Sequence, residues 1–190
     1  MKTKKFTTSQ LTILGLMAGI LFLMAYTPLG YLNIGPLAVT FNVIPVAVCA
    51  IVLGPTGGAI AGAVFGLTSF MQAIGIGGVS ALGSALFQIN PFMTAVQCFG
   101  PRILDGICIG FIYRAVHKKA NTYVSCAVTG FFSAFLNTLF FMTALIVMFG
   151  NTELIRNLMG GHNIIVGCCL MVGVNAISEM VSSTIITAAV

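Results

Sequence analysis

The residues in this chain with chemistry to offer are few, and each stands in apolar surroundings. Arg102 and Asp105 lie three apart in Pro101-Arg102-Ile103-Leu104-Asp105-Gly106, and Asn175 and Glu179 lie four apart near the end of the chain. On a helix either spacing puts both side chains on one face, where they can meet. Asn137 is a further amide inside an apolar run, and Gln72 and Asn90 stand near the two ends of the irregular stretch 74–93. An arginine steadied by Asp105 can present its planar fork to a carboxylate or phosphate. A few such polar groups in an apolar cavity are what a small amphipathic ligand needs. Arg102, Asn137, Asn175, Glu179, Asn90 and Gln72 are therefore the candidate substrate-binding set, with Asp105 as the group that orients Arg102. The blander alternatives are that Arg102 and Asp105 only neutralise each other and that the asparagines hold helices together. A buried ion pair with no task can be replaced by apolar residues at little cost, which favours a ligand.

Catalysis fits less well. There is no Ser-His-Asp set, no H-E-x-x-H and no pair of aspartates on separate helices. His117 and His162 fall on opposite faces of the expected membrane, the first inside a basic cluster and the second in a loop. The six cysteines contain no C-x-x-C pair and all lie in apolar stretches, as packing residues do. No catalytic residue, metal or cofactor is expected.

The elements that must hold these residues follow from composition. Of 190 residues, 58% are hydrophobic and 6% charged, against about 25% charged in soluble domains. Too little charge is present to clothe a water-soluble globule, whereas lipid suits this surface. We expect an all-α integral membrane protein, with one domain over 1–190 and six spans at 8–26, 41–53, 59–73, 94–116, 123–149 and 164–190. The first could be a signal peptide, but its apolar run is long and lacks a clean cleavage site, so a retained helix is favoured. Gly54-Pro55-Thr56-Gly57-Gly58 interrupts the second and third spans. Residues 74–93 show no sustained helical period, and 151–163 read as a polar linker.

The net charge of +5 comes mostly from two short clusters, Lys2, Lys4 and Lys5 before the first span and Arg114, Lys118 and Lys119 after the fourth. Arg156 is the one basic residue expected on the other face. Flanking clusters of this kind mark the cytoplasmic side rather than a nucleic-acid patch. Both termini would then be cytoplasmic, in a cell membrane, with the long connections after spans one, three and five outside. Long irregular segments gathered on one face suit binding loops on a rigid scaffold.

Two glycine stripes have a different purpose. Gly58, Gly62 and Gly66 on the third span, one turn apart, suit close packing inside the chain. Gly15 and Gly19 on the first span, which carries no buried charge, equally suit a seam with a partner subunit.

Taken together, Ile44-Pro45, Val52-Leu53-Gly54-Pro55-Thr56-Gly57-Gly58-Ala59, Gly62-Ala63-Val64-Phe65-Gly66-Leu67-Thr68-Ser69-Phe70, Ile89-Asn90-Pro91, Pro101 to Gly106 and Asn175-x-x-x-Glu179 resemble the substrate-binding S-components of energy-coupling factor (ECF) vitamin transporters. The resemblance extends over essentially the whole chain and is closest to pantothenate-binding members. It implies a six-helix subunit that captures a vitamin outside and delivers it through a transmembrane coupling subunit and two ATPases. It also implies Arg102 near the ligand carboxylate, Gly15 and Gly19 against the coupling subunit, and closure of loops 27–40 and 74–93 over the ligand. The chain has no G-x-x-x-x-G-K-[ST], so ATP would be used on partner chains. Within the family, folate, riboflavin and cobalamin are alternative vitamins. Outside it, the competing functions are a stand-alone secondary carrier or pore and, less well supported, an intramembrane enzyme.

Overall fold

The computed structural model describes residues 7–27, 30–33, 38–77, 80–158 and 164–189. Lys2, Lys4, Lys5 and His162 lie outside them. The described chain is dominated by helices: α1 (Thr8–Ala25), α2 (Val43–Ala73), α3 (Ala81–Ile89), α4 (Pro91–His117), α5 (Thr122–Phe149), α6 (Glu153–Leu158) and α7 (Ile164–Ala189). Four of them, α1, α2, α4 and α5, are long and apolar enough to cross a membrane, as an integral membrane protein requires. The expectation of helices alone needs one correction. Two three-residue strands, β1 (Tyr31–Asn33) and β2 (Ala38–Thr40), pair antiparallel in the connection after α1.

The 31 residues of α2 are two limbs folded back on each other. A straight helix of that length would reach about 46 Å. Instead Val43, Ile44 and Val46 of the first limb share a core with Ala61 and Phe65 of the second. The reversal occurs at Gly54, whose φ of 75° and ψ of −166° belong to a region open essentially to glycine alone. Pro55 follows at the first position of the second limb, where its missing N–H costs nothing. The interruption expected at 54–58 is thus a tight helical hairpin. Its first limb runs only from Val43 to Leu53, about 16 Å or half of a hydrocarbon core of about 30 Å. This limb alone is too short to cross such a core.

The second limb makes the most extensive helix contact in the structure, against α4. A Cβ on Gly58 would strike the carbonyl of Gly106, one on Gly62 the carbonyl of Arg102, and one on Gly66 would come within 2.9 Å of the Cys98 carbonyl. The stripe is an internal backbone-to-backbone seam. By contrast Gly15 and Gly19 on α1 are exposed and a Cβ on either meets nothing within 4 Å.

Between α5 and α7 runs a second seam of a different kind. Ser125, Thr129, Ser133 and Asn137 recur every four residues on α5, and Asn175, Glu179, Ser183 and Thr187 do so on α7; all eight are buried. The two helices pass closely at Gly130, where a Cβ would strike Thr187 Oγ1 and the Ser183 carbonyl. The hydroxyls of Ser125, Thr129 and Thr187 donate to carbonyls four residues back in their own helices.

The connections hold more helix than the sequence suggested. Ser80 Oγ accepts from Gly83 N and starts α3 inside the stretch read as irregular. Asn90 Oδ1 then accepts from Phe92 N and Met93 N, and with Pro91 at the first position it starts α4 three residues early. In the polar linker, α6 buries Ile155 against Leu86, Met142, Leu145 and Phe149, closing that end of the bundle.

Candidate ligand-binding site

Arg102 sits about 16 Å along α4 from Pro91. Its guanidinium carbon lies 4.9 Å from the centroid of the Phe65 ring and 5.2 Å from that of Phe141, so rings from α2 and α5 flank the cation. Nη1 donates to the carbonyls of Gln97 and Cys98 at 3.1 and 3.2 Å, while Nε is sealed with no hydrogen-bond partner. Asp105 is fully buried, and its Oδ1 likewise has none. The Arg102 fork hydrogen-bonds backbone carbonyls of its own helix rather than the aspartate. The physical reason is direction: helical side chains lean toward the N-terminus, which carries the arginine back over Gln97 and Cys98 and away from Asp105.

Asn137 on α5 is buried with an unpartnered Oδ1. One turn further, the Phe141 carbonyl accepts from Gln97 Nε2 at 2.9 Å, whose Oε1 is also unpartnered. On α7, Asn175 and Glu179 are buried, and Glu179 Oε1 accepts from the Thr40 amide at 2.6 Å. Ser133 Oγ donates to the Val43 carbonyl at 3.3 Å, tying α5 to the start of α2. Arg102 of α4 thus lies against Phe141, one turn from Asn137 on α5, while Glu179 of α7 and Ser133 of α5 hold the chain on either side of the start of α2.

Two candidates are engaged elsewhere. Gln72 Nε2 donates to the Ala25 carbonyl at 2.6 Å, joining α2 to the end of α1. The Asn90 oxygen caps α4. Two residues were missed. Gln97 lacks a charge to mark it. Asn42, with no exposure and neither amide atom partnered, stands just before an apolar run, where asparagine ordinarily reads as a turn.

A chain of apolar helices with one flanked cation and buried, unpartnered amide atoms on Asn42, Gln97 and Asn137 suits capture of an anionic ligand. The family "ECF transporter, substrate-specific component" matches residues 9–190. This chain belongs to that family. It is 32% identical over 174 residues to the "Pantothenate transporter PanT" of Leuconostoc mesenteroides, covering 88% of this chain and 79% of that protein. It is 27% identical over 200 residues to the "Pantothenic acid transporter PanT" of Lactococcus lactis, covering 98% and 94%. A substrate-specific component is a transport subunit and not an enzyme.

Proposed function

We propose that this substrate-specific component captures pantothenate from outside the cell and passes it to an ATP-driven ECF module. The observation that carries this is the Arg102 guanidinium, held between Phe65 and Phe141 with Nε unpartnered. A carboxylate answers that group, and the carboxylate vitamin named for both relatives supplies one. In this role Arg102 takes the carboxylate, while Asn137, Asn175, Glu179 and Gln97 surround the rest of the ligand. Asn90 and Gln72 act indirectly, by holding α4 and α1 in place. Asp105 stands one turn along α4 from the cation and contributes to its polar surroundings.

Six membrane helices result when the two limbs of α2 are counted with α1, α4, α5 and α7. The hairpin turn at Gly54 lies beside Arg114, whose Nη2 a Cβ there would strike. That end carries the basic cluster, so it faces the cytoplasm of the cell membrane. Ala25 meets Gln72 at the opposite end, so α1 starts on the cytoplasmic side. Thr187 lies level with Gly130, so α7 ends there too. The exposed Gly15 and Gly19 then form the contact with the transmembrane coupling subunit, and two ATPases complete the importer.

Titration of the purified subunit with pantothenate, followed by uptake into proteoliposomes, tests this. The lone subunit should bind but not accumulate the vitamin, with or without an ion gradient, and uptake should require the coupling subunit, the ATPases and ATP. No affinity for pantothenate would reject the substrate. Gradient-driven accumulation by the lone chain would make it a secondary carrier.

A further inference from the structure

Asn42 is the polar residue for which the carboxylate chemistry above has no use. Its side chain has 0% exposure, and neither Oδ1 nor Nδ2 has a hydrogen-bond partner. It immediately precedes α2 yet makes no side-chain cap bond to that helix, so helix initiation does not explain it. Its position is fixed from both sides. Two residues before it, the Thr40 amide is held by Glu179 of α7; one residue after it, the Val43 carbonyl is held by Ser133 of α5, one turn from Asn137.

The depth of Asn42 sharpens the question. The limb that begins beside it is about 16 Å long and ends at the cytoplasmic turn, so Asn42 lies near the middle of the membrane. A polar group left unpaired there is expensive and by default has a function. Valine or leucine would fill the position as its neighbours do. A carboxamide differs from the Arg102 fork in kind: it offers a donor and an acceptor side by side, the complement of another amide. We infer that Asn42 is a specificity residue for the uncharged part of the ligand, pairing with the amide that lies between the two halves of pantothenate. This rests on the pantothenate assignment above. With Arg102 on the carboxylate, it makes the site a reader of a carboxylate and an amide at fixed separation.

The experiment compares pantothenate with its ester analogue, in which an oxygen replaces the amide N–H. Calorimetric titrations are run on the wild type, Asn42→Leu and Asn42→Ala, with thermal melting of each ligand-free protein. The wild type should prefer the amide by about tenfold or more, because the ester leaves the Asn42 oxygen unpaired. Asn42→Leu should bind pantothenate about 10- to 100-fold more weakly and bind the two ligands equally. Without ligand it should melt at or above the wild-type temperature, since an unpaired buried amide has been removed. Should the leucine fail to fit, seen as an early melt, the smaller Asn42→Ala carries the same comparison. A variant that retains the wild-type preference, or a wild type with no preference, overturns the inference and leaves the pantothenate assignment standing. A wild type that binds no pantothenate overturns both, and the first titration alone reports it.

Discussion

Glu179 Oε1 and the backbone amide of Thr40 are 2.6 Å apart, joining the last helix to the strand ribbon across 139 positions of sequence. A buried carboxyl oxygen accepting an N–H satisfies a backbone donor that would be costly to leave unpaired. It holds β2 against α7 and so sets where the chain enters α2. The proposed ligand site therefore includes a backbone segment whose place depends on one side chain of α7.

Removing that carboxylate should release the ribbon. In Glu179→Ala, hydrogen exchange at the Thr40 amide should accelerate about 2- to 13-fold, the equivalent of about 0.5–1.5 kcal/mol for a hydrogen bond. Glu179→Gln keeps an oxygen acceptor and should exchange at an intermediate rate. Exchange unchanged in the alanine variant would show that packing, not this bond, positions β2.

Arg102→Ala should weaken pantothenate binding by about 10- to 150-fold, the cost of about 1.5–3 kcal/mol for a lost charge-assisted contact in a dry site. Arg102→Lys should recover little of it, because a point charge lacks the fork and stacks less well between Phe65 and Phe141. Calorimetry on folded variants checks both, and wild-type affinity in Arg102→Ala would move the carboxylate elsewhere.

The two glycine stripes should respond in opposite ways. Gly58→Ala pushes a methyl into the Gly106 carbonyl and should destabilise the subunit by about 1–3 kcal/mol, read as a lower melting temperature in detergent. Gly15→Leu with Gly19→Leu should leave melting and ligand binding intact, as nothing lies within 4 Å of either, yet prevent uptake by the reconstituted importer. Loss of ligand binding in the Leu pair would place that stripe inside the subunit's own core.

At the hairpin, Gly54→Ala should cost stability twice, through a backbone conformation that alanine resists and through collision with Arg114 Nη2. Adding Arg114→Ala should remove only the second part, leaving about 1–3 kcal/mol of backbone strain. If the double variant melts like the wild type, the strain is absent and the turn has relaxed.

Much of this was legible before any coordinates. The helices announced themselves through uninterrupted apolar runs, and Gly54-Pro55 announced the reversal between limbs. Arg102, Asn137 and Glu179 stood out because a polar side chain in such a run is rare and costly. What stayed hidden was set by direction and by long-range contact. The spacing of Arg102 and Asp105 says that they share a face, not that the fork turns toward Gln97 and Cys98. Nothing local reveals that Thr40 meets Glu179, or that Asn42 is left buried at the start of α2. Nor does the Asn-Pro pair alone show that Asn90 is the start signal of α4.

The hydroxyl seam between α5 and α7 bears on how the protein is made. Ser125, Thr129 and Thr187 satisfy their own helices, so each helix can enter lipid alone without stranding those groups. The Thr40 amide cannot do the same. It is synthesised early, and its acceptor Glu179 arrives only with α7. The proposed ligand site is thus completed only once α7 has been made, and a nascent chain lacking α7 has helices to insert but no finished site with which to hold cargo.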